Sequence, residues 1–377
     1  MKSNFIKVLV AVIILSTTMC TSVANKNKKE VQVGSVSEKE ITLKSSSVFP
    51  FDPPEYTKEQ KDMLEEVKGN GWLAYSAFTQ NGTWDVFLCR PDGSGIVNIT
   101  NTSDTEEMMP RFSPDGEKLL YRRIPKGMAV SHDKFGAQGK LILADANGEN
   151  PVLIGEENEY PWADWSSDGS RLSYLTPKGI KIMDIKSRKE LQTIPRNGIY
   201  QQLFWSPDNK YFCGTANYGG SVWSVVNVDV ATDSLTPIIN FQSCTSDWFP
   251  DSRHIIYSSR PAEQSATDKY GWTQLWMANR DATGHQLIFG EDGSHIYGGL
   301  VSPDQRYVVF AKPYVDGGGG IENRGAPIFI MRLEDAPIIS GESPDLRRVH
   351  PVSNNGPVLS LPHGWEPDWT YAEITFN

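Results

Sequence analysis

The chain has 377 residues, and its 36 basic and 46 acidic side chains give a net charge of −10. Nucleic acids and anionic membranes are polyanions, so this charge excludes them as general partners. The length fits either two average domains or one array of repeats.

Residues 1–24 have the pattern of a cleaved export signal. Lys2 and Lys7 precede an apolar run that is too short to span a bilayer, and small residues ending at Ala24 form a cleavage site. Cys20 offers an alternative as a lipid-modified cysteine, but the residues before it fit that pattern poorly. We therefore expect a periplasmic or secreted protein without membrane insertion.

Residues 25–71 are predicted to be a linker that contains one short helix. The segment is polar and then proline-rich, which is typical of a connection between domains. A helix from Thr57 to Val67 is indicated by a capping box, Thr57 with Gln60, and by Gly69 just after its end.

Short alternating strands replace helical periodicity from Trp72 onward, and residues 72–377 contain a repeat. A thirteen-residue pattern occurs five times, with an apolar anchor, an Asp three residues later in a Ser-Pro-Asp-Gly-like turn, and then a second strand. The anchors are Phe112, Trp165, Trp205, Trp248 and Val301. A third strand ends in an Asp-x-x-Gly-like turn, and a fourth leads to the next anchor. Four-stranded units at spacings of 40 to 53 residues predict a β-propeller.

We predict six blades in a closed ring. The first unit, which begins at Trp72, lacks an anchor strand, whereas the last segment has an anchor, Trp369, with no full blade after it. The two halves complement each other, so the C-terminal strand is expected to join the first blade.

Three cysteines follow the export signal, at positions 89, 213 and 244. An odd number of cysteines on strand-like segments indicates buried thiols and not a disulfide framework.

The repeat resembles that of TolB-like propellers from Trp72 to Trp369. This resemblance implies an all-β, six-bladed fold and says little about function, because propellers host both enzymes and binding modules. Exported propellers include lyases of uronate polysaccharides, such as pectic oligomers and ulvan, and the chain also resembles an ulvan oligosaccharide dehydratase. TolB itself is a periplasmic binding propeller in an envelope complex, and residues 25–71 leave no room for its full amino-terminal domain.

Positions that only build the repeat should be alike in every blade, so departures from the repeat indicate function. Eight residues after the turn Asp, most blades have small side chains, but two have the cations Arg123 and Lys312. Six residues before the anchor, two adjacent blades have histidines, each followed two positions later by an aromatic residue. These pairs are His295 with Tyr297 and His363 with Trp365. First strands start and second strands end at the same end of a blade, so all six side chains are expected at one mouth of the channel.

Further candidates for substrate binding are His132 and Arg324, which lie in long loops after second strands. Long loops on the rim of a rigid scaffold are frequent sites of recognition. Trp162, Trp365 and Tyr297 could stack on sugar rings, and Glu106 and Glu159 could supply the two carboxylates of glycoside hydrolysis. The alternative at each rim position is a solvated polar residue.

Imidazoles, a phenol and two cations fit β-elimination on a uronic acid. Arg123 and Lys312 would neutralise the sugar carboxylate, while His295, His363 or Tyr297 would remove the adjacent proton and protonate the leaving group. The product would be a 4,5-unsaturated uronate, formed by a lyase if a sugar leaves and by a dehydratase if a hydroxyl leaves.

We expect no metal and no cofactor. Paired Cys and His spacings of zinc sites do not occur in the sequence, and the metal-binding histidines of the pectic enzymes are not evident. The alternative function is a non-catalytic propeller that binds a glycan or an envelope protein.

Overall fold

The structure is a computed structural model. It describes residues 53–127, 139–154, 162–176, 178–195, 199–218, 221–239, 242–260, 273–291, 294–312, 326–337, 340–341 and 356–376. These residues all belong to one compact unit, residues 46–377. No helix in the described ranges has the length and apolar character needed to cross a bilayer.

The predicted helix is present as α1 (Lys58–Val67), with Thr57 as its N-cap. The capping box is confirmed, because Gln60 N donates to Thr57 Oγ1 at 3.3 Å and Thr57 N donates to Gln60 Oε1 at 2.9 Å. Met63 and Val67 are buried and pack in a core cluster with residues of the propeller. The helix is therefore attached to the propeller by its apolar side.

The described β-strands follow one another along the chain. In chain order they are β1 (Trp72–Phe78), β2 (Trp84–Cys89), β3 (Val97–Asn98), β4 (Thr105–Phe112), β5 (Lys118–Pro125), β6 (Lys140–Asp145), β7 (Val152–Ile154), β8 (Ala163–Trp165), β9 (Arg171–Thr176), β10 (Gly179–Asp184), β11 (Glu190–Pro195), β12 (Ile199–Trp205), β13 (Tyr211–Tyr218), β14 (Ser221–Asp229), β15 (Leu235–Ile239), β16 (Ser243–Trp248), β17 (His254–Ser259), β18 (Gln274–Asn279), β19 (His285–Phe289), β20 (Tyr297–Val301), β21 (Tyr307–Ala311), β22 (Ala326–Arg332), β23 (Ser340–Gly341) and β24 (Val358–Thr370).

The strands form five sheets with antiparallel pairing. Three sheets have four consecutive strands each, β4–β7, β8–β11 and β12–β15. A fourth contains β16–β19 with β23 paired at its outer edge. The fifth has seven strands in the order β20-β21-β22-β24-β1-β2-β3.

The six separate blades predicted from the sequence are not found as six sheets. Four sheets of four or five strands stand by themselves, and the other seven strands form one sheet because β24 is continuous. Its first half pairs with β22, with Ala326 opposite Gly364, and its second half pairs with β1, with Leu73 opposite Trp369. The architecture is nevertheless an all-β propeller with little helix.

The Ser-Pro-Asp-Gly-like turns have the side-chain bonds that their chemistry predicts. In four of them the Ser hydroxyl donates to the Asp two residues later and accepts from the backbone N–H five residues later. The pairs are Ser113 with Asp115, Ser166 with Asp168, Ser206 with Asp208, and Ser302 with Asp304. The residue after the Asp has positive φ, for example 70° at Gly116 and 59° at Asn209, a conformation that suits Gly and Asn.

Aspartates join neighbouring sheets where their innermost strands meet. The Asp before one anchor accepts a hydrogen bond from the backbone N–H of the next sheet's anchor. Asp368 accepts from Phe112 N, and Asp164 accepts from Trp205 N, both at 2.6 Å. Each bond satisfies a buried backbone donor and fixes the spacing of two sheets.

Tryptophan indoles make the hydrogen bonds at the junctions that alternate with the aspartate junctions. Trp165 Nε1 donates to Arg111 O, and Trp248 Nε1 donates to Phe204 O, both at 3.2 Å. Four successive junctions, from β24 through β4, β8 and β12 to β16, are thus closed by a side chain bonded to backbone. The anchor side chain is apolar and packs in the core. At Trp165 and Trp248 the indole N–H also bonds the backbone of the neighbouring sheet.

Cys89, Cys213 and Cys244 are free thiols, as the odd cysteine count predicts. Burial raises the pKa of Cys244 to about 11 and raises the pKa of the other two thiols as well. These cysteines are therefore core side chains and not reactive nucleophiles.

We predict that Trp248→Phe costs about 1–2 kcal/mol more free energy of unfolding than Trp205→Phe. Both indoles are buried anchors, but Trp205 Nε1 has no hydrogen-bond partner among the described residues, whereas Trp248 Nε1 holds Phe204 O. Denaturant unfolding of the two variants isolates the junction bond, since the loss of ring volume is the same. Equal losses would show that the junction bond contributes nothing.

Candidate functional site

Three aromatic rings at one end of the seven-stranded sheet form a continuous stack. His295 lies on Tyr297 with ring centroids 5.9 Å apart, and Tyr297 packs against Trp365 at 4.8 Å. Tyr297 and Trp365 are buried, while His295 is half-buried. The stack therefore leads from a partly exposed imidazole into the core.

Lys312 and His363 lie at the same end of this sheet. Lys312 N donates to Pro327 O, and Pro327 is paired with His363 on the next strand. The Lys312 ammonium bonds Glu291 at 2.5 Å and lies 4.7 Å from the centre of the Phe329 ring. His363 is exposed, but neighbouring protein displaces enough water to lower the pKa of its imidazole, which is mostly neutral at pH 7.

Arg123 and Glu106 lie on a different sheet, the one formed by β4–β7. Arg123 Nε donates to Glu107 Oε1 at 2.7 Å, and Glu107 is fully buried. The Thr102 and Thr105 hydroxyls also donate to Glu107, at 2.6 and 2.8 Å. Arg123 is therefore fixed through its Nε, whereas Glu106, which the sequence placed at the rim, is buried.

Trp162 and Trp365 are not sugar platforms. Both are at most 3% exposed and belong to one core cluster with Tyr297, so their faces are covered by protein. His132, Glu159 and Arg324 lie outside the described residues, as does the predicted export signal. Within the described ranges, no three His, Cys, Asp or Glu side chains are grouped to hold a metal ion.

A cavity of about 20 Å³ lies beside Trp162 and Tyr297, and the sequence analysis did not find it. Arg111, Gln202 and Glu366 are among its other lining residues. This volume accommodates about one water-sized group.

Much of the cavity wall comes from the third residue before each anchor. At this position the register of five innermost strands is irregular, and the residue has a left-handed backbone. The φ angles are 58° at Met109, 58° at Gln202, 52° at Thr245, 66° at Gly298 and 51° at Glu366. A non-glycine residue in this region costs about 1–3 kcal/mol, and the β-branched Thr245 is the least suited to it. The left-handed position recurs in five blades, so it belongs to the repeat, and it brings Gln202, Thr245, Gly298 and Glu366 to the cavity wall.

A sequence signal for this cavity exists in the repeat. The third position before the anchor has no common size or polarity, whereas the anchors themselves are all apolar. Its occupants are Met109, Trp162, Gln202, Thr245, Gly298 and Glu366. Comparing this position across the blades would have indicated a functional lining.

Gln202 fixes the orientation of Tyr297. Its Oε1 accepts hydrogen bonds from Thr245 N and from Thr215 Oγ1, both at 2.7 Å. These two donors define which amide atom is oxygen, so Nε2 faces Tyr297 and donates to its hydroxyl at 3.2 Å. Tyr297 thus accepts a hydrogen bond from a side chain that cannot easily rotate.

Arg111 is a buried cation on the innermost strand β4. Its Nη1 lies 3.3 Å from Pro367 O and 4.0 Å from Asp368 Oδ1, and its Cζ lies 4.4 Å from the centre of the Phe204 ring. Burial by itself would lower the pKa of Arg111, but nearby carboxylates, led by Asp368 and Asp247, raise it above the usual value. The guanidinium therefore stays charged in the centre of the fold.

Three carboxyls near this arginine, on buried Glu366 and on half-buried Asp164 and Asp247, have pKa values raised toward neutrality. Burial raises the pKa values of Asp164, Asp247 and Glu366 to about 7 each, and the Arg111 charge opposes this only in part. Perturbed acids that line or adjoin a cavity are candidates for function, although structural bonds also perturb pKa values.

Comparisons with known proteins agree with the propeller. No family profile matches the sequence. The chain is 29% identical over 121 residues to the Tol-Pal system protein TolB of Bordetella pertussis, which covers 29% of this chain and 28% of that relative. The match thus spans less than a third of the relative's length.

Solved structures show the same fold. TolB from Acinetobacter baumannii superposes with a TM-score of 0.55 at 18% identity, covering 82% of this chain and 69% of that chain. An oligogalacturonate lyase in complex with manganese reaches a TM-score of 0.41 at 17% identity, over 61% of this chain and 64% of that chain, too low to bear on function. The protein is an all-β propeller, as the repeat predicts, and its fold is similar to that of TolB. The ulvan-specific type is not established by these comparisons.

We predict that Asp247→Asn makes the melting temperature less dependent on pH. Between about pH 4 and pH 7 the folded protein holds a proton on Asp247 that the unfolded chain, with a pKa of about 3.9, has lost, so stability falls as pH rises through this window. Asparagine removes this fall and can still accept the hydrogen bond from Trp248 N. Asp281→Asn is the control, because that exposed carboxyl has a lowered pKa. An unchanged pH profile in Asp247→Asn would contradict the assignment.

Proposed function

We propose that the chain is an exported six-bladed propeller that binds an acidic oligosaccharide at one rim and acts on it by β-elimination at a uronic acid. The observation that carries the proposal is the presence of His295, Tyr297, Lys312, His363 and Trp365 at one end of one sheet. This set supplies a neutral base, a second proton carrier and a cation.

The six-blade count divides the seven-stranded sheet into two blades. One consists of β20–β22 with the first half of β24, and the other of the second half of β24 with β1–β3. Each then has four strands, as three of the remaining sheets do, and the shared strand closes the ring. Export is proposed from the N-terminal sequence pattern.

His363 is the proposed base. Its lowered pKa keeps the imidazole neutral at pH 7, so it can accept the proton on the carbon beside the sugar carboxylate. The electron pair left on that carbon forms the double bond, and the bond from the neighbouring carbon to the leaving oxygen breaks. His295 or Tyr297 would then give the leaving oxygen its proton, which balances the reaction.

Lys312 and Arg123 are the proposed carboxylate clamp. Lys312 is paired with Glu291, but an ammonium has three N–H donors and can serve a second carboxylate. Arg123 bonds Glu107 through Nε, so this bond does not use the terminal nitrogens that would contact the sugar carboxylate. A cation on the sugar carboxylate stabilises the enolate-like intermediate, which is the main electrostatic requirement of this elimination.

A non-catalytic binding propeller is the second candidate. Both clamp cations already have carboxylate partners, which reduces the positive potential at the rim. The similarity to TolB also favours this non-catalytic candidate, since that relative is named as a Tol-Pal system protein. The two candidates differ in whether bond cleavage follows binding.

We predict that His363→Gln lowers the rate of double-bond formation by about 10²- to 10⁴-fold while oligosaccharide binding persists. The readout is ultraviolet absorbance of the unsaturated product on a panel of uronate oligosaccharides. His254→Gln is the control, because that imidazole pairs with Asp251 in a turn. If the unchanged protein gives no absorbance on any uronate but still binds one, the non-catalytic candidate is correct.

We predict that Lys312→Ala or Arg123→Ala weakens binding of an acidic oligosaccharide by about 1–3 kcal/mol. Calorimetric titration measures the affinity directly and separates binding from turnover. Lys210→Ala is the matched control, because this lysine side chain is 70% exposed. Affinities equal to that of the control would eliminate the clamp.

A further inference from the structure

Glu366 is a buried acid that the proposed elimination does not use. Its side chain lines the cavity, the residue is 7% exposed, and neither carboxylate oxygen has a hydrogen-bond partner among the described residues. A carboxyl that has lost its hydration without gaining donors is costly, and such a group in a folded protein requires an explanation. The cavity beside it therefore lacks a donor.

The size of the cavity limits what that donor can be. A volume of about 20 Å³ holds about one water-sized group, so a sugar ring does not fit. A small ion or the terminal group of a longer chain does fit. Tyr297 lines one side of the cavity and also stacks on the half-buried His295.

The hydrogen-bonding groups around the cavity favour a donor. Arg111 on β4 also lines the cavity, but its guanidinium contacts Asp368, Pro367 O and the face of Phe204. Asp247 on β16 adds a second carboxyl, which accepts the hydrogen bond of Trp248 N, and Arg122 on β5 faces Glu366 from a fully buried position. The two arginines match the two carboxyls in charge, but no donor of the described residues bonds either oxygen of Glu366, and an anion could not supply one.

The carboxylate of Glu366 narrows the class of donor. Trp162, Phe204 and Tyr297 line the cavity together with Glu366, but other side chains already contact their rings. A carboxylate accepts the N–H donors of an ammonium group in short charge-assisted bonds. An ammonium group combines the size of water with three donors, which suits both oxygens of Glu366.

We propose that this cavity binds an ammonium group, as the free ion or as a primary amine at the end of a chain, with Glu366 as its counter-ion. The site shares Tyr297 with the proposed rim chemistry, but its tests use no sugar. Failure of one proposal is therefore distinguishable from failure of the other.

The first test compares melting temperatures in ammonium, methylammonium, tetramethylammonium, potassium and sodium chlorides at equal ionic strength. We expect ammonium or methylammonium to raise the melting temperature above that in sodium chloride, and Glu366→Gln to abolish the rise. A response to ammonium alone identifies the free ion, and a response to methylammonium as well identifies an amine head group. An equal rise with potassium, sodium or tetramethylammonium, or no rise at all, overturns the proposal.

The second test measures methylammonium affinity by calorimetry in the unchanged protein at about pH 6 and about pH 8. The amine stays protonated over this range, whereas the pKa of Glu366 is about 7, so the ionised fraction changes about tenfold. We expect binding about tenfold tighter at the higher pH. The same affinity at both pH values would show that Glu366 is not the counter-ion, even if Glu366→Gln does not fold.

Discussion

The arrangement of the innermost strands depends on one buried cation, Arg111. Its side chain comes from β4, lies on the Phe204 ring of β12 and approaches the carboxylate of Asp368 on β24, so three strands are tied across the channel. Its backbone carbonyl accepts the indole hydrogen bond of Trp165. Removing such a charge would leave several carboxyls buried without compensation, which is far more costly than losing an exposed ion pair.

A hydrogen bond from the backbone distinguishes the acids that the fold requires from the candidate functional acid. Asp164 and Asp368 each accept the backbone N–H of the next anchor, so the repeat requires them and their raised pKa values follow from burial at a junction. Glu366 makes no such bond among the described residues, and it sits at a strained left-handed position beside the cavity. Burial raises the pKa of Glu366, and no backbone donor offsets that burial as Trp205 N does for Asp164, so a bound donor is proposed in its place.

The repeat was sufficient to predict the fold because its turn chemistry and anchor spacing are local. Strand β1 begins at Trp72, and the Thr57 capping box starts α1, as the residues alone indicate. The exposure of site residues was not predictable in the same way. A strand that alternates regularly has known inward and outward positions, but the bulge before five of the anchors shifts that alternation by one residue. Trp365 lies just before the bulge of β24, and it is buried although it was expected at the mouth of the channel.

Strand β24 connects the rim to the cavity in very few residues. His363 is at the rim, Trp365 packs on Tyr297, Glu366 lines the cavity, and Asp368 holds the next sheet. Tyr297 belongs to both sites, because it stacks under His295 and also forms part of the cavity wall. Since Gln202 holds the Tyr297 hydroxyl in place, the ring cannot adjust to one site without changing its contacts in the other. If the cavity holds the proposed ligand, we expect its occupation and the orientation of the rim imidazole to be coupled through this aromatic side chain.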